Sequence, residues 1–217
     1  MIRMVRYDPV GGIIYIVSFL AAILISLILH ECAHGYIAYR CGDPTAKMLG
    51  RLSLDPRKHL DPVGTLCMLV LGIGWAKPVP VNPRNFRSYR RDDFLVSIAG
   101  IVTNLVLFLL STVLLVGMFR FQNNAVVAYI NQFLYMLSSI NLSLALFNLL
   151  PIPPLDGYHL VNDTLLRGRL QLGREQFMFC QLILVAICMT GFLSSILSSA
   201  HTAVYNAVLR LFLGIVY

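Results

Sequence analysis

The chain has 217 residues, of which 58% are hydrophobic and 12% charged. Soluble domains carry about 25% charged residues, so the composition excludes an ordinary water-soluble globule and points to a membrane protein. The formal net charge of +7 comes from Lys and Arg clustered in loops beside apolar segments, which argues against a nucleic-acid partner and for a lipid bilayer.

The first apolar segment, Ile13–Tyr36, is 24 residues long. A cleavable signal has an apolar core of roughly 7–15 residues, so this segment is predicted to be a retained span. Three more segments are long enough to cross a bilayer: about 94–119, 126–150 and 177–197. Two apolar stretches are shorter. Val63–Trp75 has the length of a re-entrant or interfacial element, and 204–217 carries Arg210 and is read as an interfacial helix or a short final span. Between them, Met48–Leu54 and Ala76–Asn82 suit extended structure, the latter with Pro78 and Pro80 on an edge. Cys32, Cys41, Cys67, Cys180 and Cys188 show no paired spacing, so no disulfide framework or cysteine-rich metal site is expected.

Lys and Arg set the orientation. The loop Tyr39–Asp93 carries Arg40, Lys47, Arg51, Arg57, Lys58, Lys77, Arg84, Arg87, Arg90 and Arg91, and a second loop carries Arg167, Arg169 and Arg174. Only Arg120 lies in the connection 120–125. Both basic loops are therefore expected in the cytoplasm and the N-terminus outside, with Arg3 and Arg6 as counter-evidence.

Inside the first span stands His30-Glu31-Cys32-Ala33-His34. On a helix His30 and His34 are one turn apart and share a face, so two imidazole nitrogens meet one metal ion. Glu31 lies beside them and is placed to take a proton from a metal-bound water. Ionisable groups at membrane depth are costly and usually mark a functional site. His30 lies 17 residues after Ile13, roughly 25 Å along the helix, which puts the pair near the cytoplasmic end of the span.

The third span ends on the same side, in Asn148-Leu149-Leu150-Pro151-Ile152-Pro153-Pro154-Leu155-Asp156-Gly157. Three prolines in four positions stop a helix. Asp156 follows the break and suits either a helix cap or a third metal ligand. Two histidines and a carboxylate leave the open position that catalytic zinc keeps for water. His159, three residues on, is a rival ligand. His59 sits in a polar loop and reads as a structural or membrane-interface residue, and His201 lies near the outer end of the fourth span, too far away.

These residues resemble the site-2 protease family of intramembrane zinc metalloproteases. Gly42-Asp43-Pro44-Thr45-Ala46, the stretch Gly50–Pro56, His59–Thr65 and Gly74–Asn82 resemble its compact members without an appended domain. The resemblance implies an all-α polytopic membrane protein of four to five transmembrane helices, a single domain over 1–217, and a membrane-associated β-hairpin with a re-entrant loop over 46–82. It implies one Zn2+ held by His30, His34 and Asp156, with Glu31 as the catalytic base. It implies that Asn104, in Ala99-Gly100-Ile101-Val102-Thr103-Asn104, and Asn148 help position substrate; the family's usual proline is Ile101 here. An asparagine on a buried helix face also serves as an interhelical hydrogen-bonding residue, which is the alternative reading of both. The implied activity is cleavage of transmembrane helices of membrane proteins near the cytoplasmic side. The competing class is a cation transporter or channel built on the same His, Glu and Asp, which calls for inverted repeats that the sequence lacks. Without a sensory domain, regulation is expected from a membrane partner, from a preliminary trimming of the substrate, from gating or through a homo-oligomer.

Overall fold

The computed structural model describes residues 9–62, 64, 77–118, 121, 124–166, 168–170 and 172–216. Helix α1, Pro9–Cys41, begins on a proline, which lacks the N–H that a first turn leaves unpaired anyway. It ends before Gly42, whose φ of +111° lies in the left-handed region that favours glycine. A single turn, α2, follows at Thr45–Met48. The long helices α3, Tyr89–Met118, and α4, Ala125–Asn148, come next. Then follow the short α5, Asp156–Thr164, and α6, Arg174–Met189, and α7, Phe192–Val216.

α1, α3 and α4 are long and apolar enough to cross a membrane. α6 and α7 meet at 73° and make a fourth, broken span if taken together. Where the sequence suggests one helix over 177–197, the chain turns at Gly191, with a φ of +75°. On α3, Val102, Val106, Leu109 and Val113 are exposed at helical spacing, while Asn104, Phe108, Thr112 and Leu115 are buried. In a chain of this composition, such an exposed apolar stripe suits lipid contact.

The expected β-hairpin is not seen: no strand occurs among the described residues. Met48 closes α2, and the stretch 49–54 runs through turns. Residues 77–82 are irregular. The reason is where their backbone donors go. Val79 N–H donates to the Glu31 carboxylate and Asn82 N–H to that of Asp43, both at 2.7 Å, and Pro78 and Pro80 have no N–H at all. Donors engaged this way leave no ladder for a second strand. Most of the proposed re-entrant stretch 63–75 lies outside the described residues.

The chain forms two compact units. The first comprises 1–26, 104–146 and 193–217. Its core is Phe108, Leu142 and Tyr205, flanked by Leu105, Leu146, Val208 and Leu209. Asn141 Nδ2 donates to Ser26 Oγ at 2.8 Å, and Ser26 Oγ donates to the Ala22 carbonyl. The second unit, 27–103 and 147–192, contains the histidine pair and Asp156.

Candidate metal centre

α1 delivers His30 and His34 from one face, with their Nε2 atoms 2.9 Å apart. His34 Nδ1–H donates to the Val96 carbonyl at 2.7 Å. A carbonyl only accepts, so Nδ1 carries the proton and Nε2 is the nitrogen left to face a metal ion. Gly100, one turn beyond Val96 on α3, lies against both rings: a Cβ there would collide with His30 Cε1 and His34 Nε2.

Asp156 opens α5. α4 ends at Asn148, and the proline segment turns through bonds such as Leu150 N–H to Phe147 O and Leu155 N–H to Ile152 O. Leu155 is the N-cap and makes no side-chain cap, so the Asp156 carboxylate is not used for capping. Gly157 sits against the Leu149 and Leu150 carbonyls, where any Cβ would clash. Asp156 Oδ2 lies 3.4 Å from His30 Nε2 and 3.4 Å from His34 Nε2.

One donor atom from each of these three residues lies within 4.8 Å of the other two. A tetrahedral ion with bonds of about 2.0–2.2 Å holds its ligands roughly 3.3–3.6 Å apart. Both histidine–Asp156 distances of 3.4 Å match that range, while the 2.9 Å between the two imidazole nitrogens is shorter and has to open for an ion to enter. The donor set, two imidazoles and a carboxylate, suits zinc. Asp156 Oδ2 is a buried oxygen with no hydrogen-bond donor on it, an arrangement that a cation relieves.

Glu31 lies on the adjoining face of α1. Its Oε2 accepts the Val79 N–H, and the same face closes on that segment at Gly35, where a Cβ would stand 2.8 Å from Val79 Cγ1 and 2.6 Å from Leu52 Cδ2.

The remaining histidines have other partners. His159 Nδ1 bonds Asp93 Oδ2 at 3.1 Å. His59 is buried and donates from Nε2 to the Ser53 carbonyl at 2.6 Å. His201 stacks on Tyr205 in the first unit. Asn104 is fully buried in the first unit, and Asn148 is half-buried at the end of α4 in the second. The Val79 N–H, the Val96 carbonyl and Asp93 are not legible in the sequence as parts of the site. The first two are backbone groups that any residue carries. The third left one clue, an acidic pair, Asp92 and Asp93, at the start of a long apolar segment.

The profile of Peptidase family M50 matches residues 115–191, a stretch that contains Asp156. The chain is 40% identical, over 96% of its length and 95% of the relative's, to the Bacillus subtilis (strain 168) protein named "Putative zinc metalloprotease YwhC". It is 33% identical to "Putative zinc metalloprotease Rip2" of Mycolicibacterium smegmatis (strain ATCC 700084 / mc(2)155), over 70% of this chain and 60% of that protein. The chain belongs to peptidase family M50. The site-2 protease resemblance is thereby established, and with it a membrane-embedded hydrolase of the metalloprotease class. No solved structure matches the chain.

Proposed function

We propose that this protein is a zinc-dependent intramembrane endopeptidase that cuts transmembrane helices of membrane proteins. The observation that carries the reading is the convergence of His30, His34 and Asp156, which are 126 positions apart at the extremes, on one point beside Glu31. The relatives named as zinc metalloproteases support zinc as the ion, and membership of family M50 makes a transporter the weaker reading.

When bound, zinc supplies a Lewis acid for the scissile carbonyl and a water acidic enough to react at neutral pH. His30 and His34 offer neutral nitrogens, with the Val96 carbonyl fixing the orientation and tautomer of His34. Asp156 brings one negative charge, which offsets part of the ion's charge at low dielectric. Glu31 accepts the proton of the attacking water and returns it to the departing amine. Val79 N–H holds one Glu31 oxygen and leaves the other for that transfer.

A substrate helix pairs all its backbone groups internally, so its scissile carbonyl is reached only after local unwinding. Asn104 and Asn148 are assigned to hold the unwound segment. The family resemblance supports this, as does the Asn104 amide, both ends of which are buried with no hydrogen-bond partner among the described residues. The charge distribution of the loops supports a cytoplasmic-side cut and an N-terminus outside.

The test is Glu31→Gln in the purified protein, with a transmembrane-helix substrate in detergent or vesicles. Cleavage falls by roughly 10²–10⁴-fold, the usual worth of general acid–base help, while zinc stays bound. Wild-type cleavage by this variant, or zinc flux by wild-type protein in sealed liposomes, overturns the reading.

A further inference from the structure

We propose that Asp93 is a positioning residue that sets the Asp156 carboxylate in the metal centre by gripping His159. The inference rests on the metal-centre reading above and deepens it.

Asp93, Val96 and Gly100 stand at i, i+3 and i+7 on α3 and so share one face. Gly100 lies against the two imidazoles. The Val96 carbonyl receives the His34 Nδ1–H at 2.7 Å. Asp93 Oδ2 receives the His159 Nδ1–H at 3.1 Å. One helix face therefore touches the histidine pair at two levels and α5 at a third.

His159 stands three residues after Asp156 on α5, and side chains at that spacing lie on the same side of a helix. α5 is only 9 residues long, has no side-chain N-cap and follows a proline turn. A helix this short does not hold its own rotation, so its contacts must. Tyr158 OH donates to the Leu170 carbonyl at 2.8 Å, which ties α5 to the chain that follows it. The His159–Asp93 bond ties it to α3, the helix that also anchors His34. Asp163, one turn beyond His159, is also close enough to Asp93 for the two carboxyl groups to influence each other. Rotating α5 enough to withdraw Asp156 from the imidazoles breaks the His159–Asp93 bond.

This arrangement also explains His159 itself. Its Nδ1 is committed to Asp93, and it stands outside the set of converging donors.

The experiment uses the full-length protein in detergent micelles, loaded with Co2+ as a spectroscopic stand-in for zinc. The readouts are the visible d–d bands and the affinity from chelator competition. Asp93→Asn and His159→Phe are each expected to shift the bands and weaken binding roughly 10–100-fold, the usual effect of losing a group that orients a ligand. The double variant is expected to be no weaker than the worse single one, because both remove the same link. The exchanged pair, Asp93→His with His159→Asp, is expected to restore part of the affinity. Asp93→Glu, which keeps the charge but displaces it by one methylene, serves if Asp93→Asn does not fold, and it is expected to shift the bands in folded protein. Asp156→Ala separates the two claims. If Asp156→Ala loses the metal while the Asp93 and His159 variants keep wild-type bands and affinity, the positioning role is wrong and the metal centre stands. If Asp156→Ala binds like wild type, the metal-centre reading fails first.

Discussion

The backbone N–H of Val79 donates a 2.7 Å hydrogen bond to Oε2 of Glu31, across 48 positions of sequence. The base role proposed for Glu31 requires the carboxylate to hold one orientation against its own rotamer freedom. Here an irregular, proline-flanked segment does the holding. Hydrogen bonds to charged groups contribute about 1.5–3 kcal/mol, so losing this one is expected to lower kcat by roughly ten- to a hundredfold. Val79→Pro removes the donor, whereas Val79→Ala keeps it. Steady-state cleavage by the two variants decides the matter: equal rates would mean that the bond does not orient Glu31.

Gly100 is the closest approach of α3 to the histidine pair. A methyl group there collides with His30 Cε1 and His34 Nε2, neither of which is the free end of a flexible chain. Gly100→Ala is therefore expected to push the rings apart and to cut the zinc content of purified protein to well below one ion per chain. Gly117, on the same helix, has open space where its Cβ would go, so Gly117→Ala is expected to keep full zinc. Metal analysis of the two variants side by side checks the prediction.

The contact between α5 and α3 is expected to weaken as pH rises. Burial alone disfavours a charged His159, but the Asp93 hydrogen bond and the charges of Asp93, Asp163 and Asp156 outweigh it and raise its pKa above 6.5. A raised folded value means a contribution fully present below about 6.5 and lost as the pH climbs through the folded pKa. The Asp163 carboxyl is pushed up as well, by burial first and then by the neighbouring Asp93, with His159 and Arg90 opposing. A carboxyl that keeps its proton in the folded state also costs stability as pH rises, so both groups act with the same sign. The difference in thermal midpoint between wild type and His159→Ala is expected to be largest near pH 5.5 and to shrink by pH 9. A constant difference across that range would contradict the pairing.

Asn141 links α4 to Ser26 of α1 inside the first unit. Hydrogen bonds between membrane helices average only about 0.6 kcal/mol, because the alternative state also finds partners. Asn141 Oδ1 is buried without a partner among the described residues, which further reduces what the side chain contributes. Asn141→Leu, which keeps the branching and the number of side-chain heavy atoms, is expected to change stability by less than about 1 kcal/mol and to leave zinc content unchanged. Chemical unfolding in mild detergent measures it, and a large loss would give Asn141 a role beyond helix pairing.

The sequence by itself determined what depends on near neighbours along the chain. Apolar length marked the spans α1, α3 and α4, because the bilayer is a solvent of set thickness. The spacing of His30 and His34 put two ring nitrogens on one face, because helical periodicity alone decides that. The three prolines after Leu150 foretold the break before Asp156. Only the tertiary structure separates Asp156 from His159, since both lie on α5: it sets the Asp156 carboxylate against the two imidazoles and pairs His159 with Asp93, more than sixty positions away. It alone revealed Val79 on Glu31 and Val96 on His34, because a backbone N–H or carbonyl has no residue type to read. The expected hairpin failed for the same reason. Val79 and Val81 between prolines read as an edge strand, yet the amide hydrogens of Val79 and Asn82 go to carboxylates at distant positions on the chain.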